Sequence, residues 1–120
     1  MKTILLIDDE PELLELLRYL FKHLNYKVVT FPNVVSVETF ENILPDVVIL
    51  DNNLGVKSGG ELCLEIKNNP KTHHIPVVLL SANGRLPEIA KDNHADAFIE
   101  KPFDIGNLYS IVKKVSIQEA

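Results

Sequence analysis

Residues 47–51, Val-Val-Ile-Leu-Asp, form a short apolar run that ends abruptly in a carboxylate. Four apolar residues in succession predict a strand that is buried on both faces, because a half-exposed strand alternates apolar and polar side chains. Four more β-rich segments lie on either side of it, at 4–7, 26–31, 76–80 and 97–99. The sequence therefore predicts five strands, of which 47–50 is the third.

Apolar residues recur at helical spacing between and after these strands. The clearest stripe is formed by Leu13, Leu14, Leu17, Leu20, Phe21 and Leu24. Helices are accordingly expected near 13–24, 34–44, 60–68, 85–94 and 104–116. Regular alternation of buried strands with helices predicts an α/β fold, a doubly wound five-stranded parallel sheet covered on both faces.

Length and composition favour a single globular domain over residues 1–120. The chain is 46% hydrophobic and 24% charged, and its one cysteine, Cys63, excludes an internal disulfide. The formal charge of −5 argues against direct nucleic-acid binding. No segment resembles a membrane span or a signal peptide, so a cytoplasmic location without membrane association is expected.

Potentially reactive side chains follow four of the predicted strands. They are Asp8 and Asp9 after the first strand, Asp51 after the third, Ser81 after the fourth and Lys101 after the fifth. Because parallel strands present their carboxyl ends at one edge of the sheet, these side chains are expected to meet in one crevice. Any one of them alone is more often a turn or capping residue, and Asp9 is a candidate cap for the helix that follows.

The chemistry of this set points to phosphoryl transfer. Three adjacent carboxylates repel one another unless a hard divalent cation lies between them, and oxygen ligands favour Mg²⁺, with Mn²⁺ as an alternative. Lys101 offers a mobile positive charge and Ser81 a hydroxyl donor, both suited to phosphate oxygens. An aspartate nucleophile beside a metal and a lysine is the set that phosphorylation of a carboxylate requires.

Five motifs, in this order, resemble the receiver (CheY-like) domain of two-component response regulators over essentially the whole chain. They are Ile-Asp-Asp-Glu-Pro at 7–11, Val-Ile-Leu-Asp-Asn-Asn-Leu at 48–54, Gly59, Pro-Val-Val-Leu-Leu-Ser-Ala at 76–82 and Phe-Ile-Glu-Lys-Pro-Phe at 98–103. The resemblance implies a flavodoxin-like (βα)5 sheet with strand order 2-1-3-4-5. It also implies a phosphorelay switch rather than an enzyme with a separate substrate.

The resemblance further implies a role for each matched residue. Asp51 would accept a phosphoryl group from a histidine kinase or a phosphotransfer protein. Asp9, Asp51 and the backbone carbonyl of Asn53 would bind Mg²⁺ directly, and Asp8 would act mainly through water. Lys101 would neutralise a phosphoryl oxygen.

A second pair of matched residues would carry the signal. Ser81 would move to the phosphoryl group, and Phe98 would rotate into the space left behind. The change would reach the face formed by the fourth helix, the fifth strand and the fifth helix. That face would meet an output domain or a downstream protein. The Lys101–Pro102 bond is expected to be cis.

Three departures from the family pattern stand in loops. Gly55 replaces a common proline and Lys57 a usual apolar residue, so the loop after Asp51 is expected to be more flexible. Asn93, His94 and Ala95 stand where the family often has Ala-Gly-Ala, so a glycine helix terminator is missing, although Asn93 can adopt the left-handed conformation. None of the three departures touches the inferred chemistry.

Two other function classes compete with the receiver switch. A Mg²⁺-dependent phosphohydrolase with an aspartyl-phosphate intermediate would need a general acid two residues after Asp51, where Asn53 stands. A degenerate receiver acting as a simple binding module would not need the complete acidic set. The sequence leaves open the cognate kinase, the presence of an output domain and the oligomeric state.

Overall fold

The computed structural model describes residues 1–118, in which five strands alternate with five helices. The last two residues of the predicted domain 1–120 lie outside this description. The elements in chain order are β1 (Lys2–Ile7), α1 (Pro11–His23), β2 (Tyr26–Phe31), α2 (Val37–Ile43), β3 (Val47–Asp51), α3 (Gly59–Lys67), β4 (Val77–Ser81), α4 (Leu86–Asp92), β5 (Ala97–Glu100) and α5 (Ile105–Gln118).

All five strands pair in parallel, in the order β2-β1-β3-β4-β5. This confirms the predicted doubly wound sheet and its strand order. Every residue of β3 and β4 is buried, as predicted from the apolar runs that precede Asp51 and Ser81. The edge strand β2 carries polar residues such as Lys27 and Thr30, and it is only partly buried.

Each face of the sheet packs against its own layer of helices. One face meets α1 and α5 through Leu14, Leu17, Phe21, Leu108, Val112 and Val115. The other meets α2, α3 and α4 through Phe40, Leu62, Cys63, Ile66, Leu86 and Ala90. The helices of residues 1–118 include none whose length and apolar character would carry it across a bilayer.

The end of α4 has its left-handed residue at His94, one position after Asn93. The backbone of Asn93 has φ −108°, and the following residue, His94, takes the left-handed conformation at φ 59°. Asn93 is still within the last turn, where its Nδ2 donates to the carbonyl of Ile89 at 2.8 Å. The left-handed residue of a helix end falls one position after the cap, so His94 takes that conformation and Asn93 does not need to.

The start of α3 lies directly against the end of β3. The Gly59 N–H donates to the carbonyl of Asn52 at 2.9 Å. A Cβ atom on Gly59 would lie 2.2 Å from the backbone oxygen of Asp51, a distance no carbon can occupy. The helix then begins with a capping box between Ser58 and Glu61. The glycine eight residues after Asp51 therefore holds α3 against the strand that ends in Asp51.

We expect Gly59→Ala to destabilise the fold by about 1–3 kcal/mol, because backbone atoms must move to admit the methyl group. Gly106→Ala is the matched control, since the nearest atom to a Cβ there is 3.6 Å away. The control should change the free energy of unfolding by no more than about 1 kcal/mol, in the stabilising direction. Urea denaturation of both variants measures the difference, and equal stability of the two would contradict the steric argument.

Candidate functional site

The crevice at the carboxyl edge of the sheet brings the five predicted side chains together. Asp8 and Asp9 follow β1, whereas Asp51 and Ser81 end the neighbouring strands β3 and β4. Lys101 follows β5, and its backbone N–H donates to the carbonyl of Ser81 at 2.9 Å. Residues from positions 8 to 101 thus share one site, as the parallel topology predicts.

Three carboxylates form the acidic floor of this site. One oxygen each from Asp8, Asp9 and Asp51 lies within 4.8 Å of the other two. Asp8 and Asp51 are buried, whereas Asp9 is exposed at the mouth of the crevice. Oxygen donors of this kind, with one side open to water, suit Mg²⁺, which keeps several water ligands. The residues present therefore fit a magnesium ion.

Asp51 lies at the centre of the site, where its ionised form is disfavoured. Burial raises the pKa of Asp51 to about 6, and the charges of Asp8 and Asp9 act in the same direction. The backbone N–H of Asn53, which donates to Asp51 Oδ1 at 3.2 Å, and the charge of Lys101 oppose the rise. The hydrogen bond from Asn53 also fixes the orientation of the carboxylate.

Lys101 supplies the positive charge of the crevice. Its Nζ lies 3.0 Å from Asp8 Oδ2, 2.9 Å from Glu10 Oε2 and 3.8 Å from Asp51 Oδ2. Burial lowers the pKa of Lys101, but its carboxylate neighbours outweigh that effect, so the net pKa is raised. The lysine is therefore protonated at neutral pH. The Lys101–Pro102 peptide bond is cis, as expected.

Ser81 is fully buried beneath the crevice. Its Oγ accepts hydrogen bonds from the backbone N–H of Asn83 at 3.0 Å and from Asn53 Nδ2 at 3.4 Å. Both contacts use the lone pairs of the oxygen, so the hydroxyl proton stays available to an acceptor in the site.

Phe98 lies on β5, two residues before Glu100, which pairs with Ser81 across the sheet. Residues two apart on a strand point to the same face, so Phe98 and Ser81 lie on a common face. The Phe98 side chain is directed outward and is 38% exposed.

Three further residues contribute to the site, and two of them, Glu10 and Asn52, were given no role from the sequence. Glu10 pairs with Lys101, and Asn83 fixes Ser81 through its backbone. Asn52 is buried, and its Oδ1 accepts from the N–H of Gly60 at 2.8 Å. Of Glu10 and Asn52, Glu10 alone left a signal in the sequence, as the third acidic residue of the run at 8–10.

The alternative role of Asp9 as a helix cap was wrong. The N-cap residue of α1 is Glu10, and no side chain caps the helix. Pro11 occupies the first turn and has no N–H to satisfy, which reduces the need for a cap. The Asp9 carboxylate instead belongs to the acidic group that it forms with Asp8 and Asp51.

Curated relatives resemble this chain along most of its length. Histidine kinase P4 from Formosa agariphila is 33% identical over 94% of this chain, which spans 8% of that protein. The phosphate regulon regulator PhoB from Rhizobium meliloti is 34% identical over 92% of this chain, which spans 50% of that protein. The chain thus corresponds to half or less of these relatives.

Solved structures show the same architecture. A response regulator receiver domain protein from Clostridium thermocellum superposes with a TM-score of 0.85 at 26% identity, covering 99% of this chain and 97% of its own. The receiver domain of sensor histidine kinase PA1611 from Pseudomonas aeruginosa, solved with a coordinated magnesium ion, superposes with a TM-score of 0.85 at 24% identity, covering 96% and 97%. A sequence model of the response regulator receiver domain matches residues 4–113. The chain therefore belongs to the receiver domain family of two-component response regulators.

Proposed function

We propose that this chain is a phosphoacceptor switch in which Asp51 is phosphorylated from a histidine kinase or a phosphotransfer protein in a Mg²⁺-dependent reaction. The observation that carries the proposal is the buried Asp51 carboxylate, with the oxygens of Asp8 and Asp9 within 4.8 Å and the Lys101 ammonium at 3.8 Å. This arrangement combines a carboxylate nucleophile with the charges that a phosphoryl group needs.

The metal would be held by Asp9, Asp51 and the backbone carbonyl of Asn53, with Asp8 acting through water. When bound, Mg²⁺ supplies positive charge that offsets the repulsion between the carboxylates and the incoming phosphate. The magnesium ion in the PA1611 receiver supports this choice of metal.

The protein's own groups prepare the transfer. The Asn53 N–H orients Asp51 for attack on phosphorus, and the donor leaves with its bonding electrons. Lys101 then pairs with a phosphoryl oxygen. The movement required is small, because Lys101 Nζ already lies 3.8 Å from Asp51 Oδ2. The Ser81 hydroxyl donates a hydrogen bond to a second phosphoryl oxygen.

The signal would leave the site through Ser81 and Phe98. Movement of the Ser81 hydroxyl toward the phosphoryl group opens a space on the face that Phe98 shares. Inward rotation of Phe98 then changes the surface formed by α4, β5 and α5. Because the curated relatives are longer proteins, an output domain or a separate downstream protein is the proposed reader of that surface.

A phosphohydrolase is disfavoured by the position of Asn53. An amide cannot transfer the proton that a leaving alcohol needs, and Asn53 Nδ2 donates instead to Ser81 Oγ. The complete acidic group with Lys101 likewise disfavours a degenerate receiver that only binds a partner.

Incubation with acetyl phosphate and Mg²⁺ should add one phosphoryl group to the chain, as read by intact mass. Asp51→Asn should abolish the gain, because an amide is not a nucleophile for this reaction. Asp92→Asn, which removes an exposed carboxylate at the end of α4, is the control and should behave like the wild type. Modification in the absence of Mg²⁺, or in Asp51→Asn, would contradict the proposal.

Without metal, Asp51→Asn should stabilise the fold by on the order of 2–3 kcal/mol at pH 8. The pKa of Asp51 rises from 3.8 to about 6 on folding, so ionisation of this carboxylate destabilises the native state. This destabilisation of the native state is absent below pH 3.8 and complete above about pH 6.

The gain in the free energy of unfolding from Asp51→Asn should therefore fall at pH 5 to about half of its value at pH 8. Denaturation of both proteins in EDTA at the two pH values measures it, with Asp92→Asn again as control. Adding Mg²⁺ should raise the melting temperature of the wild type more than that of Asp51→Asn. A stability difference between wild type and Asp51→Asn that does not change with pH would argue against charge repulsion at Asp51. So would an equal rise in the melting temperature of the two proteins on adding Mg²⁺.

Beryllofluoride, a phosphoryl mimic, should bury Phe98 in the presence of Mg²⁺. The ring resonances of ¹³C-labelled phenylalanine, with a soluble paramagnetic probe, report its exposure. Ser81→Ala should leave Phe98 accessible even when the mimic is saturating, because the hydroxyl that moves is missing. Ser110→Ala, an exposed change on α5, is the control and should respond like the wild type. An accessible Phe98 in the saturated wild type would refute the relay.

A further inference from the structure

Glu10 occupies the N-cap position of α1 but does not cap the helix. Cap residues normally turn their side chains back to the helix N–H groups. The Glu10 carboxylate turns instead across the crevice, where Oε2 lies 2.9 Å from Lys101 Nζ. Glu10 therefore contacts the lysine that is proposed to bind the phosphoryl group, and this contact affects where the ammonium group lies.

The backbone of Glu10 is held in place from two sides. Pro11 follows it, and a residue before proline is restricted to extended conformations, as its φ of −94° and ψ of 107° show. Its N–H donates to Asp8 Oδ1 at 2.9 Å. The carboxylate of Glu10 is therefore presented from a fixed point at the rim of the site.

Lys101 has three carboxylate neighbours, and they differ in what else they do. Asp8 and Asp51 belong to the acidic group that fits a metal ion, whereas Glu10 does not. A bound cation would weaken the attraction of Asp8 and Asp51 for the lysine, since their charge is then shared with the metal. Glu10 is then the remaining anion, among residues 1–118, that lies within 4 Å of Lys101 Nζ.

We propose that Glu10 is a positioning residue that holds Lys101 away from Asp51 and competes with the incoming phosphoryl group for the lysine. The inference rests on the function proposed above. With acetyl phosphate, the bond between Asp51 oxygen and phosphorus forms, and the bond between phosphorus and the acetate oxygen breaks. Acetate leaves with the electron pair, and Lys101 stays protonated while it exchanges Glu10 for a phosphoryl oxygen.

Saturation kinetics of phosphorylation by acetyl phosphate with Mg²⁺ test the proposal through Glu10→Gln and Glu12→Gln. Both glutamates line the same cleft beside Lys101, but only Glu10 contacts the lysine. Loss of one negative charge at the cleft should lower the half-saturating concentration similarly in the two variants. Only Glu10→Gln should raise the maximal rate, by about two- to five-fold, the range for a solvated ion pair.

Two further measurements separate positioning from a merely structural role. Glu10→Asp keeps the charge at the same backbone position, so its maximal rate should lie nearer the wild type than that of Glu10→Gln. Thermal unfolding should show that all three variants fold. Beryllofluoride should bind more tightly to Glu10→Gln than to Glu12→Gln, because Lys101 is free of its competitor.

The outcomes distinguish this inference from the proposed function. A phosphorylated wild type whose maximal rate is unchanged or lowered by Glu10→Gln would overturn the role of Glu10 alone. Equal rises in Glu10→Gln and Glu12→Gln would also overturn it, because the effect would then be one of cleft charge. A wild type that gains no phosphoryl group would count against the proposed function itself.

Discussion

Repulsion among three carboxylates gathered at one edge of the sheet is the constraint around which this site is built. Asp8, Asp9 and Asp51 lie within 4.8 Å of one another, and the pKa of Asp51 is raised to about 6 by burial and by these neighbours. Lys101 offsets the repulsion only in part, since it lies 3.8 Å from Asp51. A site of this kind is stabilised by any added positive charge, and a divalent cation is the most effective one. The same unbalanced charge makes the crevice responsive to a ligand.

The parallel sheet both brings these charges together and stabilises the fold that holds them. Four strands that end at one edge deliver side chains more than ninety residues apart, as the contact between Lys101 and Asp8 shows. Backbone N–H groups of the adjoining loops fix three of these side chains: Glu10 N–H donates to Asp8, Asn53 N–H to Asp51 and Asn83 N–H to Ser81. Two well-packed cores beneath the site provide the stability that offsets its cost. The proposed phosphoryl chemistry therefore depends on topology as much as on residue type.

Sequence patterns predicted the strands and the crevice well, because both follow from local periodicity and from the rule that parallel strands end together. They failed where the outcome depended on contacts distant in sequence or on a single backbone angle. The pairing of Glu10 with Lys101 joins residues on either side of four strands, and nothing in the local sequence specifies it. α4 ends at Asp92, with Asn93 as its cap and His94 in the left-handed conformation, and the position of that single backbone angle does not follow from helical periodicity. The role of Asn52 depends on how closely α3 approaches β3, which only the folded chain reveals.

Asp51 is the residue proposed to carry the phosphoryl group. Borohydride reduction of the phosphorylated chain, followed by peptide mass mapping, locates an acyl phosphate directly, because reduction converts the modified aspartate to homoserine. Homoserine is expected at position 51 alone, formed only when Mg²⁺ was present during phosphorylation. Conversion of Asp8 or Asp9 in place of Asp51, or conversion of Asp51 without Mg²⁺, would contradict this assignment.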